Sequence, residues 1–225
     1  MFIEPGAPLK ELQNLAYDYL EESDDPTNDH IYFMSGICDL TKKTKINSDF
    51  QYEEVKFVET VSEAESRMTD LVDKITEHIL FMGAKPCFAT IIPMSLRKWN
   101  ETRLEQGRTD YLLHQARYGE MQRNLDKVVL STNKYLQTVN MSNQMETPHL
   151  ESTVVEHRIG RAPRFHFGRL VDGVHAPPYD AEKLPQENLV WKWADRLNQA
   201  ITVNRRINFP VDFDIPLESS SDQEN

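Results

Sequence analysis

The chain has 225 residues, a hydrophobic fraction of 39% and a formal net charge of −11, which predicts one polar domain with a single core. Such an acidic chain is a poor non-specific binder of nucleic acid, because phosphate binding needs clustered cations. Its two cysteines exclude a disulfide scaffold, and no apolar run approaches the roughly 18 residues of a membrane span. The N-terminus lacks the basic and apolar regions of a signal peptide, so we expect an intracellular protein.

The first half of the chain predicts helices that alternate with short buried strands. Apolar residues recur every three or four positions over residues 9–20 and again over 62–82, as on one face of a helix. The apolar run 30–35 is too short for an ordinary helix and predicts a buried strand, as does the run 87–93. Residues 41–58 are polar and fit no single element.

The second half predicts two more helices on either side of a long irregular segment. Helical spacing covers residues 109–140 and 186–204, whereas residues 141–185 contain five prolines. A loop of that length inside a compact domain is more often functional than idle. We therefore expect one α/β domain over residues 1–210, followed by a disordered acidic tail over residues 211–225.

This alternation predicts a parallel sheet with helices on both faces, whose sites form beyond the carboxyl ends of the strands. Gly36 follows a predicted strand directly, and a glycine there lets the backbone approach a ligand closely. Gly6 precedes the first helix, where backbone amides can point at an anion. At both glycines a plain tight turn is the alternative. The loop 93–99 after the second strand is a third place to expect chemistry.

The strongest chemical signal is the pair Asp172 and His175, which lie three residues apart near the C-terminus. Both side chains can project from one turn, so that the carboxylate accepts a hydrogen bond from one ring nitrogen of the histidine. The other ring nitrogen is then free to act as a general base. Because this spacing is common, a structural loop with a surface histidine is the alternative.

Together and in this order, these segments resemble the SGNH, or GDSL-type, hydrolase superfamily. The resemblance implies a flavodoxin-like three-layer α/β fold and ester hydrolysis by a Ser–His–Asp triad or a Ser–His dyad. It makes His175 the base and Asp172 its orienting acid, as in the family's last motif block. It also implies oxyanion-hole positions at Gly6, Gly36 and Cys38.

The chain departs from this family pattern at two positions. The nucleophilic serine should lie on a strand before Gly6, but none of the five residues that precede Gly6 is a serine. We therefore expect the first strand to be missing, and the protein to be an incomplete or inactive relative of serine hydrolases of acyl or acetyl esters. Cys38 stands where the family has an asparagine, and a thiol is a weaker hydrogen-bond donor than an amide. Losing one oxyanion donor costs roughly 100- to 1000-fold in rate.

A basic segment over residues 157–169 supports a different function, that of a non-catalytic binding module. Interleaved aromatic and basic residues can bind an anionic partner or nucleic acid, although pairing with the acidic surface of the same protein is the alternative. The segment contains four arginines in an otherwise acidic chain: Arg158, Arg161, Arg164 and Arg169.

We predict neither a metal site nor a cofactor, because His78, His114 and His149 show no ligand spacing with cysteines or carboxylates. We also expect Cys38 and Cys87 to remain unpaired. Cys38 follows the end of the first strand, whereas Cys87 opens a second strand that is expected to end at Ile92. That offset places the two cysteines about 16 Å apart along parallel strands, beyond the reach of a disulfide.

Overall fold

The computed structural model describes residues 7–45, 53–106, 115–180, 182, 184 and 187–208. These residues form a mixed α/β fold, which confirms the predicted class at that level. The helices and strands are α1 (Leu9–Glu22), β1 (His30–Phe33), α2 (Ile37–Leu40), β2 (Lys42–Lys45), β3 (Glu53–Lys56), α3 (Val61–Phe81), β4 (Lys85–Phe88), α4 (Leu96–Glu105), α5 (Gln115–Ser142), β5 (Val155–Glu156), β6 (Arg164–Phe165) and α6 (Leu189–Asn208). Short 3₁₀ turns cover Pro26–Asn28, Glu151–Thr153 and Phe167–Arg169.

Strands β1 and β4 pair in parallel, with Tyr32 opposite Cys87 and Phe33 opposite Phe88. Their carboxyl ends therefore meet at one edge, as the sequence predicts. The second predicted strand, residues 87–93, begins and ends earlier than expected, at Lys85 and Phe88. Cys87 is consequently near the end of its strand, not at its start. Both cysteines are free thiols, and Cys38 is exposed while Cys87 is buried.

On the side away from β1, asparagines of α5 form the hydrogen bonds of β4 and of the segment after it. The side chain of Asn140 accepts from the backbone N–H of Phe88 at 2.9 Å and donates to its carbonyl at 2.7 Å. Asn133, two turns earlier on α5, makes the same pair of bonds with Ile91, at 2.6 and 2.9 Å. A side-chain amide thus replaces a neighbouring strand. Among the described residues the parallel sheet has only these two strands, fewer than expected.

Helix α3 follows its predicted bounds closely because both its ends are encoded locally. The hydroxyl of Thr60 accepts from the backbone N–H of Glu63, and the Glu63 carboxylate accepts from the N–H of Thr60 in return. Its apolar face packs on α5 in the main core. The buried residues of that face are Ala64, Met68, Val72, Ile75 and Ile79.

Three segments differ from the sequence predictions. Strands β2 and β3 form an antiparallel pair within the ambiguous residues 41–58. Helix α4 occupies most of the predicted loop 93–99, and it was missed because only Leu96 and Asn100 are buried along it, which gives no apolar periodicity. The irregular residues 141–185 contain the short β5–β6 hairpin.

Several predictions concern residues outside the described ranges, among them the turn at Gly6, the start of the helix predicted over 109–140 and the tail 211–225. The described part of α5 begins at Gln115, and the last helix runs from Leu189 to Asn208 instead of over 186–204. None of the helices described here is both long and apolar enough to cross a membrane.

Candidate functional site

Asp172 and His175 form a hydrogen-bonded pair within one tight turn, as predicted. Asp172 Oδ2 lies 2.7 Å from His175 Nδ1, and Oδ1 accepts from the backbone N–H groups of Val174 at 3.1 Å and His175 at 2.8 Å. The turn is closed by the N–H of Val171, which donates to the His175 carbonyl at 2.8 Å. With a proton on Nδ1, the Nε2 atom of His175 is left as the basic nitrogen.

Gly173 attaches this turn to the start of α4. Its φ of +89° favours glycine, and a Cβ there would lie 2.7 Å from the carbonyl oxygen of Ser95 and 3.1 Å from the backbone nitrogen of Trp99. The N–H of Ser95 donates to the Gly173 carbonyl at 2.9 Å. A side chain at residue 173 would therefore push the His175 turn away from α4.

A cleft with a volume of about 230 Å³ lies between this turn and α4. Its α4 wall is one helical face, since the wall residues are spaced by three and four positions. The imidazole of His175 is 5.7 Å from the Trp99 ring, measured between centroids, and its side chain is 67% exposed. The lining residues are Trp99, Thr102, Arg103 and Gln106 from α4, with Asp172 and His175 opposite.

The carboxylate of Asp172 is held in its ionised form. Partial burial acts to raise its pKa, but hydrogen bonds from the backbone and ring of His175 and from the backbone of Val174 outweigh that effect. The pKa of Asp172 therefore lies below its usual value, and the group is negatively charged at neutral pH. An ionised carboxylate at Nδ1 orients the imidazole and stabilises its protonated form.

Gly36 lies at the carboxyl end of β1, as predicted, and is buried against the segment after β4. Its φ is +122°, and a Cβ there would lie 2.5 Å from Ile91 Cδ1. Residues 7–9 lie alongside this turn, because the hydroxyl of Ser35 donates to the Ala7 carbonyl and the N–H of Leu9 donates to Asp39 Oδ2 at 2.9 Å.

The predicted site residues occupy two places joined by one segment. Residues 89–95 contact Gly36 through Ile91 and Gly173 through Ser95. Both places are thus beyond the carboxyl ends of β1 and β4. No hydrogen bond between described residues connects Gly36 or Cys38 directly with the His175 turn.

Neither cysteine is a ready nucleophile. Desolvation, together with the nearby Asp39 carboxylate, raises the pKa of Cys38 even though the residue is exposed. Burial raises the pKa of Cys87 to about 12. Since the thiolate is the reactive species, a raised pKa makes each of these thiols a weaker nucleophile than an ordinary cysteine. Within the described residues no group of three or more His, Cys, Asp or Glu side chains is placed to hold a metal ion.

The basic segment forms the β5–β6 hairpin, which projects from the protein surface. Arg158, Arg161 and Arg164 are exposed, and Ile159 at its tip is fully exposed. The guanidinium of Arg158 donates to the carbonyl of Ala162 within the hairpin, whereas that of Arg169 donates to the carbonyl of Thr153 in the preceding 3₁₀ turn.

From the sequence we expect chemistry in residues 93–99, which include Trp99, but Thr102, Arg103 and Gln106 were missed, because these residues become a site only when the His175 turn packs against them. The signal available was the spacing of Trp99, Arg103 and Gln106 directly after a predicted strand end.

Comparison with known proteins adds no relative: no family model, no curated protein and no solved structure matches this chain.

Proposed function

We propose that this chain is an SGNH-hydrolase-like domain related to serine hydrolases of acyl or acetyl esters, and that Asp172 and His175 form its acid–base pair. The observation that carries the proposal is the 2.7 Å contact between Asp172 Oδ2 and His175 Nδ1, beyond the carboxyl ends of two parallel strands. The contact leaves Nε2 of His175 beside an open cleft.

Two further observations support the resemblance. The segment 7–9 lies against the turn after β1, which is where the family brings its second and third motif blocks together. The two faces of the parallel pair also meet different elements. Phe33 and Phe88 stack at 5.1 Å in the main core, whereas Tyr32 and Cys87 face Asn204 of α6. Packing on both faces is the arrangement of a three-layer α/β fold.

In the proposed reaction, His175 Nε2 takes the proton of an attacking hydroxyl as that oxygen adds to the ester carbonyl. Asp172 holds the imidazole in place and stabilises the imidazolium that forms. Backbone N–H groups around Gly36 would donate to the developing oxyanion. In the family the hydroxyl belongs to a serine, and among the described residues no serine hydroxyl is hydrogen-bonded to His175.

The test compares hydrolysis of p-nitrophenyl acetate by the 225-residue chain and by a chain extended with the coding sequence that precedes Met1. We expect no detectable turnover by the 225-residue chain, because no serine of the described ranges is hydrogen-bonded to His175. An extension that supplies a serine after an apolar strand should restore turnover. Replacing that serine or His175 by alanine should then abolish it, and Asp172→Asn should lower kcat by about 10⁴-fold.

The matched control is His166→Ala, which removes another carboxylate-paired histidine, 3.1 Å from Glu156 in the basic hairpin. It should leave turnover unchanged. Turnover by the 225-residue chain that survives His175→Ala would contradict the proposed site. An extension without a serine, or a stop codon directly upstream, would favour the binding module instead.

The second candidate, a non-catalytic binding module, is favoured by the β5–β6 hairpin. Three arginines and a fully exposed isoleucine project together from a chain whose net charge is −11. Such a tip fits an anionic partner, nucleic acid included, because exposed guanidinium groups bind phosphates and carboxylates in pairs of hydrogen bonds.

A further inference from the structure

We infer that the cleft beside His175 recognises a compact oxyanion, a carboxylate or a phosphate, through the guanidinium of Arg103. The inference rests on the proposed function only in taking that oxyanion to be part of an ester substrate. It assigns a role to the α4 wall and names the substrate class as an ester that carries a negative charge near the scissile bond.

The position of Arg103 is fixed by Trp99. The guanidinium carbon lies 4.4 Å from the centroid of the indole ring, in cation–π contact. This contact restricts the conformations that the Arg103 side chain can adopt. An Arg that is already ordered loses less conformational entropy when it binds an anion.

Arg103 has no carboxylate partner in the described part of the chain. Glu101, two residues before it, is paired instead with Arg97 at 2.5 Å. Asp172 lies across the cleft, but three donors from its own turn already occupy it. The cleft therefore contains a guanidinium that forms no ion pair with any carboxylate in the described ranges.

The base and the guanidinium both lie against the same indole. His175 is 5.7 Å from the Trp99 centroid and Arg103 is 4.4 Å from it, so the two groups are at most about 10 Å apart. That span accommodates an ester carbonyl at His175 with a carboxylate or phosphate a few bonds away. Thr102 and Gln106 add a hydroxyl and an amide to the same wall.

The experiment measures binding by the 225-residue chain, so it needs no turnover. Inorganic phosphate and acetate are titrated separately into ¹⁵N-labelled protein, and the indole resonance of Trp99 is followed by NMR, assigned with Trp99→Phe. We expect saturable shifts for at least one anion, and phosphate and acetate distinguish the two kinds of oxyanion. Arg103→Gln should weaken binding by roughly 10- to 100-fold.

Two variants control for charge and for folding. Arg97→Gln removes the same charge from the same helix and should leave the affinity unchanged. Arg103→Lys keeps the charge but loses the planar fork, and should bind with intermediate affinity. An absence of shifts with both anions, or unchanged affinity in a folded Arg103→Gln variant, would overturn the inference.

The outcome is separable from that of the proposed function. Anion binding that depends on Arg103, without ester hydrolysis by any extended chain, would retain the oxyanion site and reject the hydrolase. Hydrolysis of neutral and anionic esters with equal kcat/KM would retain the hydrolase and reject the oxyanion site.

Discussion

The carboxylate of Asp172 forms hydrogen bonds with both backbone and side-chain groups, and these bonds hold the His175 turn in its conformation. The carboxylate satisfies two backbone N–H groups and one imidazole nitrogen within four residues. The same bonds serve two purposes, because those that shape the turn also keep the carboxylate ionised beside the imidazole. Local structure and the proposed chemistry therefore depend on a single charge.

This dependence predicts how the stability of the protein changes with pH. Because the folded pKa of Asp172 is below its ordinary value, its contribution to stability is present above pH ~4 and is lost as the pH falls through the folded pKa. Asp172→Asn should therefore lower the free energy of unfolding at pH 7, with the difference from the wild type shrinking below pH ~4. Urea denaturation at a series of pH values measures this.

The control for this prediction is Asp24→Asn, in the exposed loop after α1. It should unfold at the same urea concentration as the wild type at pH 7. A difference between Asp172→Asn and the wild type that stays constant down to pH 2 would show that the carboxylate charge is not what stabilises the turn.

Helix α5 shows how side chains of one element can satisfy the backbone groups of another. Its buried Asn133 and Asn140 are seven residues apart. Asn140 bonds the N–H and the carbonyl of Phe88, at the end of β4, and Asn133 bonds those of Ile91, after it. The side chain of Asn100 in α4 likewise accepts from the N–H of Val55 in β3 and donates to its carbonyl. Each asparagine supplies the amide group that a neighbouring strand would otherwise supply.

Removing one of these amides should destabilise the protein without altering its helices. Asn133→Ala leaves the N–H and carbonyl of Ile91 buried without partners, at a cost of about 1–3 kcal/mol each. We expect the free energy of unfolding, measured in urea, to fall by about 2–6 kcal/mol. Asn124→Ala, the same change elsewhere on α5, should cost less than about 1 kcal/mol. Equal losses would mean that the backbone bonds contribute little.

The sequence predicts elements whose ends are local, and fails where the ends depend on tertiary contacts. Helix α3 is bounded by the capping residue Thr60 and by Gly83, which are visible without the fold. The backbone of Ile91, just after β4, is instead satisfied by Asn133, 42 residues away. The candidate site divides in the same way. Asp172 and His175 meet within one turn, whereas the α4 wall joins them only through long-range packing.

At the scale of the whole molecule, charge is unevenly distributed. The chain carries 36 acidic and 25 basic residues, yet three exposed arginines are gathered at the β5–β6 hairpin. A local basic projection on an acidic protein can attract an anionic polymer while the remaining surface repels it, so binding should be weak and strongly dependent on salt.

This distribution predicts that any binding of a single-stranded oligonucleotide occurs through the hairpin. Its affinity should fall steeply as salt is raised, and replacing Arg158, Arg161 and Arg164 by alanine should reduce the slope of log K against log salt by about 2. Fluorescence anisotropy at several salt concentrations measures the slope. The control replaces three exposed arginines of α6 (Arg196, Arg205 and Arg206) and should leave the slope unchanged. Binding unaffected by the hairpin variant would exclude this surface.

The asparagines that border β4 also bear on self-association. A strand at the margin of a sheet exposes unpaired N–H and carbonyl groups, which can recruit a strand from another molecule and begin aggregation. Here Asn140 already holds the outward-facing groups of Phe88, and α5 lies over them. On that side the N–H and carbonyl of Phe88 are therefore not free to pair with a strand of another copy of the chain. The outer side of β4 is thus protected from strand pairing between molecules, although the described parallel sheet has only two strands.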